Sequence, residues 1–167
     1  MQILPIKVYG SPVLREKALP VEKITDDLIG LIEDMKQSIC YHQGIGLAAN
    51  QIGVARRLFL ADGGGGLKAF INPRIIESEG TAVAEEGCLS LPEIYIDVQR
   101  RSSLLVEYLD ENEEIARMEA DGLWARVIQH EYDHLEGIMI CDHAGFLTKK
   151  LIRGKLKRLR KRVQEAL

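Results

Sequence analysis

Two histidines one helical turn apart, inside an apolar-periodic segment, constrain this chain more than any other feature. His130-Glu131-Tyr132-Asp133-His134 lies in a stretch starting at Gly122, where Leu123, Trp124, Val127, Ile128 and Leu135 recur at helical spacing and Gly137 supplies a stop. Side chains at i and i+4 of a helix share a face, so both imidazoles can grip one cation with Glu131 beside them. The alternative is a polar helix face carrying ordinary histidines. The apolar frame around the motif favours the metal.

A catalytic ion of this kind needs a third protein ligand and an open position for water. In the extended metalloprotease pattern a third histidine would stand at Ile140, although Gly137 occupies that pattern's glycine position. Isoleucine cannot bind a metal. A glutamate from a following helix is unavailable, because none occurs between Gly137 and Gln164 and Glu165 lies in a basic tail. Cys141, Asp142 and His143 follow the helix end, where reaching back over its face is awkward. The best upstream candidate is Cys88, in Glu85-Glu86-Gly87-Cys88-Leu89-Ser90-Leu91-Pro92, where Gly87 permits close backbone approach and Pro92 restricts the exit. A small buried hydrophobe is the alternative for any free cysteine. That reading is preferred for Cys40, within or just after the first helix, and core packing is favoured for Cys141.

The 167 residues, 46% hydrophobic, suit one compact domain. The opening MQILPIKVYG has no apolar run behind a basic head, and nowhere do eighteen apolar residues run together, so the expectation is an unexported cytoplasmic protein with no membrane partner. Three widely spaced cysteines do not form a disulfide framework, and their default state is reduced thiol. Aromatic residues are 5% of the chain and are not interleaved with basic ones, so a stacking platform for nucleic acid is not suggested and DNA is not an expected partner. The net charge of −3 conceals an asymmetry: Thr148 to Leu167 holds nine Lys or Arg against Glu165 alone, leaving 13 basic against 24 acidic residues before it. Body and tail therefore attract opposite partners.

Thr25 reads as the N-cap of a helix carrying Leu28, Leu31, Ile32, Met35 and Ile39 at helical spacing. The runs RLFLA and KAFIN, separated by Gly63 to Gly66, read as two strands, and SLLVEYL and EIARMEA around Asp110 to Glu113 as an antiparallel pair. Ile152, Leu156, Leu159 and Val163 form one stripe of a terminal basic amphipathic helix. The expected division is a catalytic domain over 1–147 with a basic helix over 148–167 appended to it.

Three separated segments together resemble the peptide deformylases. The family's Gly-x-Gly-x-Ala-Ala-x-Gln loop is matched by Gly44-Ile45-Gly46-Leu47-Ala48-Ala49-Asn50-Gln51, its Glu-Gly-Cys-Leu-Ser by Glu86 to Ser90, and its Gln-His-Glu segment ending in His by Gln129 to His134. Weaker similarity runs from the N-terminal segment to about Asp142. The resemblance implies an α+β fold, with antiparallel sheets packed around the central helix that bears the two histidines. It also implies hydrolysis of the formyl group from the formylmethionine of newly made polypeptides, with Cys88, His130 and His134 on one divalent metal and Glu131 catalytic. Members generally work best with Fe2+, and purified material can carry Zn2+, Ni2+ or Co2+ on the same ligands. Two departures concern peptide contacts: the Gly63 to Gly66 loop is shorter than in many members, and Tyr95 stands where some bacterial members carry arginine.

A formamide resists hydrolysis because water is a poor nucleophile and the tetrahedral intermediate carries a full negative charge. The metal answers the first barrier, bringing its water towards a pKa of about 7, and Glu131 takes the water's proton and delivers it to the departing amine. For the second, the resemblance places the Gln51 side-chain amide and the Leu89 backbone N–H at the oxyanion. Gln51 has the plainer alternative of satisfying loop backbone groups. Gly46 serves a tight turn and can also offer its backbone to a bound peptide. Asp133 reads as a supporting or surface residue, and Gln129 as either. Ile45, Leu123 and Val127 suit a methionine pocket or the core equally. Two rival functions are a general zinc metalloprotease and a catalytically silent ribosome-docking factor. The substrate itself is made on the ribosome, so docking of the basic tail on ribosomal RNA is one expectation and packing on the body the other.

Overall fold

The computed structural model describes residues 2–166. Helix α1 (Asp26–His42) begins where the Thr25 hydroxyl accepts from the Leu28 N–H at 3.3 Å, with Asp26 and Asp27 at the positive end of the helix dipole. Leu28, Ile32, Met35 and Ile39 fill its buried face. Cys40 is exposed rather than buried, because it follows Ile39 by one residue and so points about 100° round the helix from that stripe.

Seven strands follow: β1 (Gly46–Ala48), β2 (Leu58–Ala61), β3 (Lys68–Glu79), β4 (Ala82–Cys88), β5 (Leu91–Arg100), β6 (Ser103–Leu109) and β7 (Ile115–Asp121). Five of them form one antiparallel sheet in the order β1-β2-β3-β6-β7, and β4 pairs with β5 as a separate hairpin. The expected pair over residues 103–120 is present, with Leu109 opposite Ile115 across the turn. The β4–β5 hairpin was not anticipated. Its inward set is Leu91, Ile94, Ile96, Val98 and Arg100, and the arginine at the last position masks the apolar alternation.

Helix α2 (Gly122–Leu135) carries the two histidines and lies against the five-stranded sheet. Ala125, Val127, Ile128 and Leu135 pack with Phe59, Phe70, Leu104 and Val106, and the Phe59 and Phe70 rings stack at 4.9 Å. Each large side chain buried this way contributes about 1.5–3 kcal/mol, which fixes the helix on the sheet and determines where its polar face points.

Helix α3 (Phe146–Glu165) starts two residues before the expected boundary at Thr148. Its Ile152 and Leu159 join the core formed by Leu14, Ile94, Ile96 and Ile140, while Leu156 and Val163 are half-buried and most of its Lys and Arg side chains face solvent. The contact is close. A Cβ on Gly10, which sits at φ 109°, would lie 2.8 Å from the Arg160 Cα. Among the described residues no helix is long and apolar enough to cross a membrane.

Candidate metal centre and active site

The site forms where the end of the β4–β5 hairpin meets the polar face of α2. Cys88 is the last residue of β4, just past an irregularity in the pairing after Glu86, and it turns its sulfur towards the helix. Cys88 Sγ stands 3.3 Å from His134 Nε2, and one donor atom from each of Cys88, His130 and His134 lies within 4.8 Å of the others. A tetrahedral ion with sulfur at ~2.3 Å and nitrogen at ~2.0 Å would set such a pair about 3.5 Å apart. The donor set therefore fits one divalent metal. It is the only such convergence of three ligands among the described residues.

His130 is held from behind. The Nδ1–H of His130 donates to Glu86 Oε2 at 2.9 Å, which leaves Nε2 free to face the site. The His134 ring is 1% exposed and sits edge-on to His130 with ring centres 5.2 Å apart. Glu86, on β4, is a hub: it also accepts from Arg100 Nε at 2.9 Å and Nη2 at 3.0 Å, and from Arg126 Nη1 at 2.8 Å. Burial alone would push the Glu86 carboxyl up, but hydrogen bonds from His130 and Arg100 overcome this and hold it well below the usual carboxylate range. Arg100 reaches on to Asp133 at 2.5 Å, and Asp133 pairs with His143 at 2.7 Å. Asp133 thus supports the site from behind His130 rather than pointing into it. Gln129 binds both the N–H and the carbonyl of Arg101, tying α2 to the end of the hairpin.

Glu131 is 3% exposed, and its Oε2 has no hydrogen-bond partner among the described residues. Burial pushes its carboxyl up to about 7, with the charge of nearby His130 opposing and that of Glu86 assisting. Gly46 makes this position possible: a Cβ there would collide with the Glu131 carboxylate and lie 2.9 Å from Val127 Cγ2. Gln51 performs its plainer task and something more. Its Oε1 accepts from the Ala48 N–H at 2.9 Å, which directs Nε2 to Ser90 Oγ at 3.2 Å and towards Cys88 Sγ at 3.6 Å. Leu89 follows Cys88 in the turn of the hairpin, and its side chain packs beside Gly44.

These groups line a cavity of about 450 Å³, which the expected apolar trio Ile45, Leu123 and Val127 also lines. The downstream alternatives do not reach it. Cys141 is buried in the core, Asp142 pairs with Arg15 at 2.5 Å, and His143 with Asp133. Glu86 as a hub and Arg100 as its partner were not identified from the sequence. The available signal was a charged residue at an inward position of β5.

Residues 3–150 match the family model described as polypeptide deformylase. A peptide deformylase of Thermotoga sp. (strain RQ2) is 45% identical over 152 residues, spanning 90% of this chain and 93% of its own. Among solved structures, the peptide deformylase from Thermotoga maritima aligns with a TM-score of 0.85 at 43% identity, covering 87% of this chain and 99% of that one. The one from Thermus thermophilus aligns at 0.91 with 40% identity, covering 96% and 99%.

Removing the hub should unsettle the fold as well as the site. Glu86→Ala leaves Arg100 and His130 facing an empty buried position and should lower the unfolding free energy by about 3–5 kcal/mol, read by denaturant unfolding. A loss below about 1 kcal/mol would show that the hub contributes no stability.

Proposed function

The chain belongs to the peptide deformylase family, and we propose that it hydrolyses the N-terminal formamide of formylmethionine at the Cys88, His130 and His134 centre, with Glu131 moving the proton. One observation carries the assignment of roles: a buried carboxylate with an unsatisfied oxygen lines the same cavity as Cys88 and His130, two of the three convergent metal donors. A carboxylate in that position is costly unless substrate or water completes its bonding.

Cys88, His130 and His134 would hold one divalent ion, which supplies Lewis acidity that acidifies water and polarises a carbonyl. Glu131 accepts the proton of the attacking water and returns it to the departing amine. Its carboxyl, pushed up to about 7, is suited to both transfers near neutral pH. Gln51 Nε2, aimed by the Ala48 contact, and the Leu89 N–H serve as donors to the developing oxyanion. Gly46 offers its backbone beside Glu131, and Ile45, Leu123 and Val127 receive the methionine side chain and exclude water. We read the ion in the cell as Fe2+, with Zn2+, Ni2+ or Co2+ able to occupy the same donors after purification. We further read the catalytic unit as 1–147, with 148–167 appended, and the compartment as the cytoplasm, where the substrate is made.

A second reading concerns α3. Arg153, Lys157, Arg160 and Lys161 flank a surface cavity against Tyr9, beside the buried stripe of the helix, with Arg160 also bonded to the Tyr9 hydroxyl at 3.1 Å. This basic face suits ribosomal RNA near the emerging chain. Reversing the charges of Arg153, Lys157 and Lys161 should weaken binding to ribosomes and flatten its salt dependence. Unchanged affinity would remove this reading.

For the main assignment, the wild-type protein should release formate from formyl-Met peptides and leave internal peptide bonds uncut. Glu131→Gln should lower kcat by about a hundredfold to ten-thousandfold with bound metal unchanged. Formate release at the wild-type rate in this variant would contradict the role given to Glu131.

A further inference from the structure

A line of hydrogen bonds runs from the back of His130 to the protein surface. The Nδ1–H of His130 donates to Glu86, which also accepts from Nε and Nη2 of Arg100. Arg100 in turn gives Nη1 to Asp133 Oδ2 at 2.5 Å, and the Nε2–H of His143 ends the line on that same oxygen at 2.7 Å. Exposure rises along it. The Arg100 and Glu86 side chains are 4% and 5% exposed, that of Asp133 19% and that of His143 32%, so His143 is the end that meets water. The backbone carrying this ring is nonetheless fixed. The His143 N–H bonds the Ile140 carbonyl at 3.1 Å, Met139, Ile140, Cys141 and Ala144 around it are core residues, and Asp142 is held by Arg15 and by the Met139 N–H.

Asp133 has a competing partner. Arg101 lines the same outer cavity as Asp133 and His143, and its guanidinium has no ion pair or hydrogen bond among the described residues. Without the His143 ring, the Asp133 carboxylate is free to turn to Arg101 and let go of Arg100. The guanidinium of Arg100 holds Glu86 by two parallel bonds, so its rotation moves the carboxylate that orients His130. Position rather than charge carries this coupling. Each hydrogen bond polarises the next by about 10–30%, which leaves about 1% or less after the four links from His143 to His130.

We propose that His143 is a positioning residue for the metal centre: by pinning Asp133 to Arg100 it fixes the Glu86 carboxylate against which the His130 ring is set. The inference rests on the reading of Cys88, His130 and His134 as metal ligands and extends that site to a residue that touches neither ion nor substrate. A half-exposed pair such as His143 with Asp133 adds little to overall stability, so its effect falls on the centre rather than on the fold.

Full-length wild type, H143A and H143Q, stripped of metal, test it by titration with Zn2+ against a chromophoric chelator and by the visible absorption of the Co2+-loaded proteins. H143A should bind Zn2+ about three- to tenfold more weakly, less than the tenfold to hundredfold loss typical of a group that touches a ligand directly. Its Co2+ bands should shift, and kcat for a formyl-Met peptide should fall with KM unchanged. Its unfolding midpoint without metal should match that of the wild type. Glutamine offers an amide N–H at about the reach of the imidazole Nε2–H, so H143Q should restore the Zn2+ affinity and the Co2+ spectrum. Wild-type Zn2+ affinity and Co2+ bands in H143A, or an H143Q no better than H143A, would overturn the inference and leave the metal centre standing. A wild-type protein that takes up neither ion would overturn both.

Discussion

A buried carboxylate shared between a hairpin and a helix holds this structure together at its working end. Glu86 is 7% exposed, and burying its charge is tolerable only because Arg100 from β5 and Arg126 and His130 from α2 surround it with donors. The pairing works in one register alone. A one-residue slip of β4 would carry Glu86 out to solvent and turn Cys88 away from His134, so the same ion pairs that dock the hairpin also set the position of its sulfur.

The apolar packing and the polar site are two sides of α2. One side is fixed on the sheet by Ile128 and Leu135, which leaves His130, Glu131 and His134 turned towards the hairpin. The low-dielectric surroundings that keep the Glu131 carboxyl near 7 would be a defect in a purely structural helix, since an unpartnered buried carboxylate costs stability. Such violations of local economy gather at functional sites. Gly46 shows the same compromise from the other side, because any side chain there would displace Glu131.

What the sequence disclosed followed from periodicity. The helices were visible because apolar residues recur with the 3.6-residue period, and the Thr25 cap and the Gly137 stop bracket two of them closely. Cys88 could be singled out because the downstream ligand positions were filled by residues of the wrong kind. Glu86 and Arg100 escaped notice because their partnership joins residues fourteen apart across a hairpin whose alternation the arginine itself obscures. Helix α3 begins at Phe146 rather than Thr148 because Gly145 starts it without a side-chain cap, and no polar signal marks the boundary. Cys40 was misplaced by a single step round a helix whose buried stripe ends at Ile39.

Metal content measured with and without the sulfur bears most directly on the centre. Anaerobically purified wild-type protein should hold about one divalent ion per chain, and Cys88→Ala far less, with formate release lost in parallel. Full ion occupancy in Cys88→Ala, or undiminished formate release from it, would show that Cys88 is not the third ligand and would contradict the centre described above.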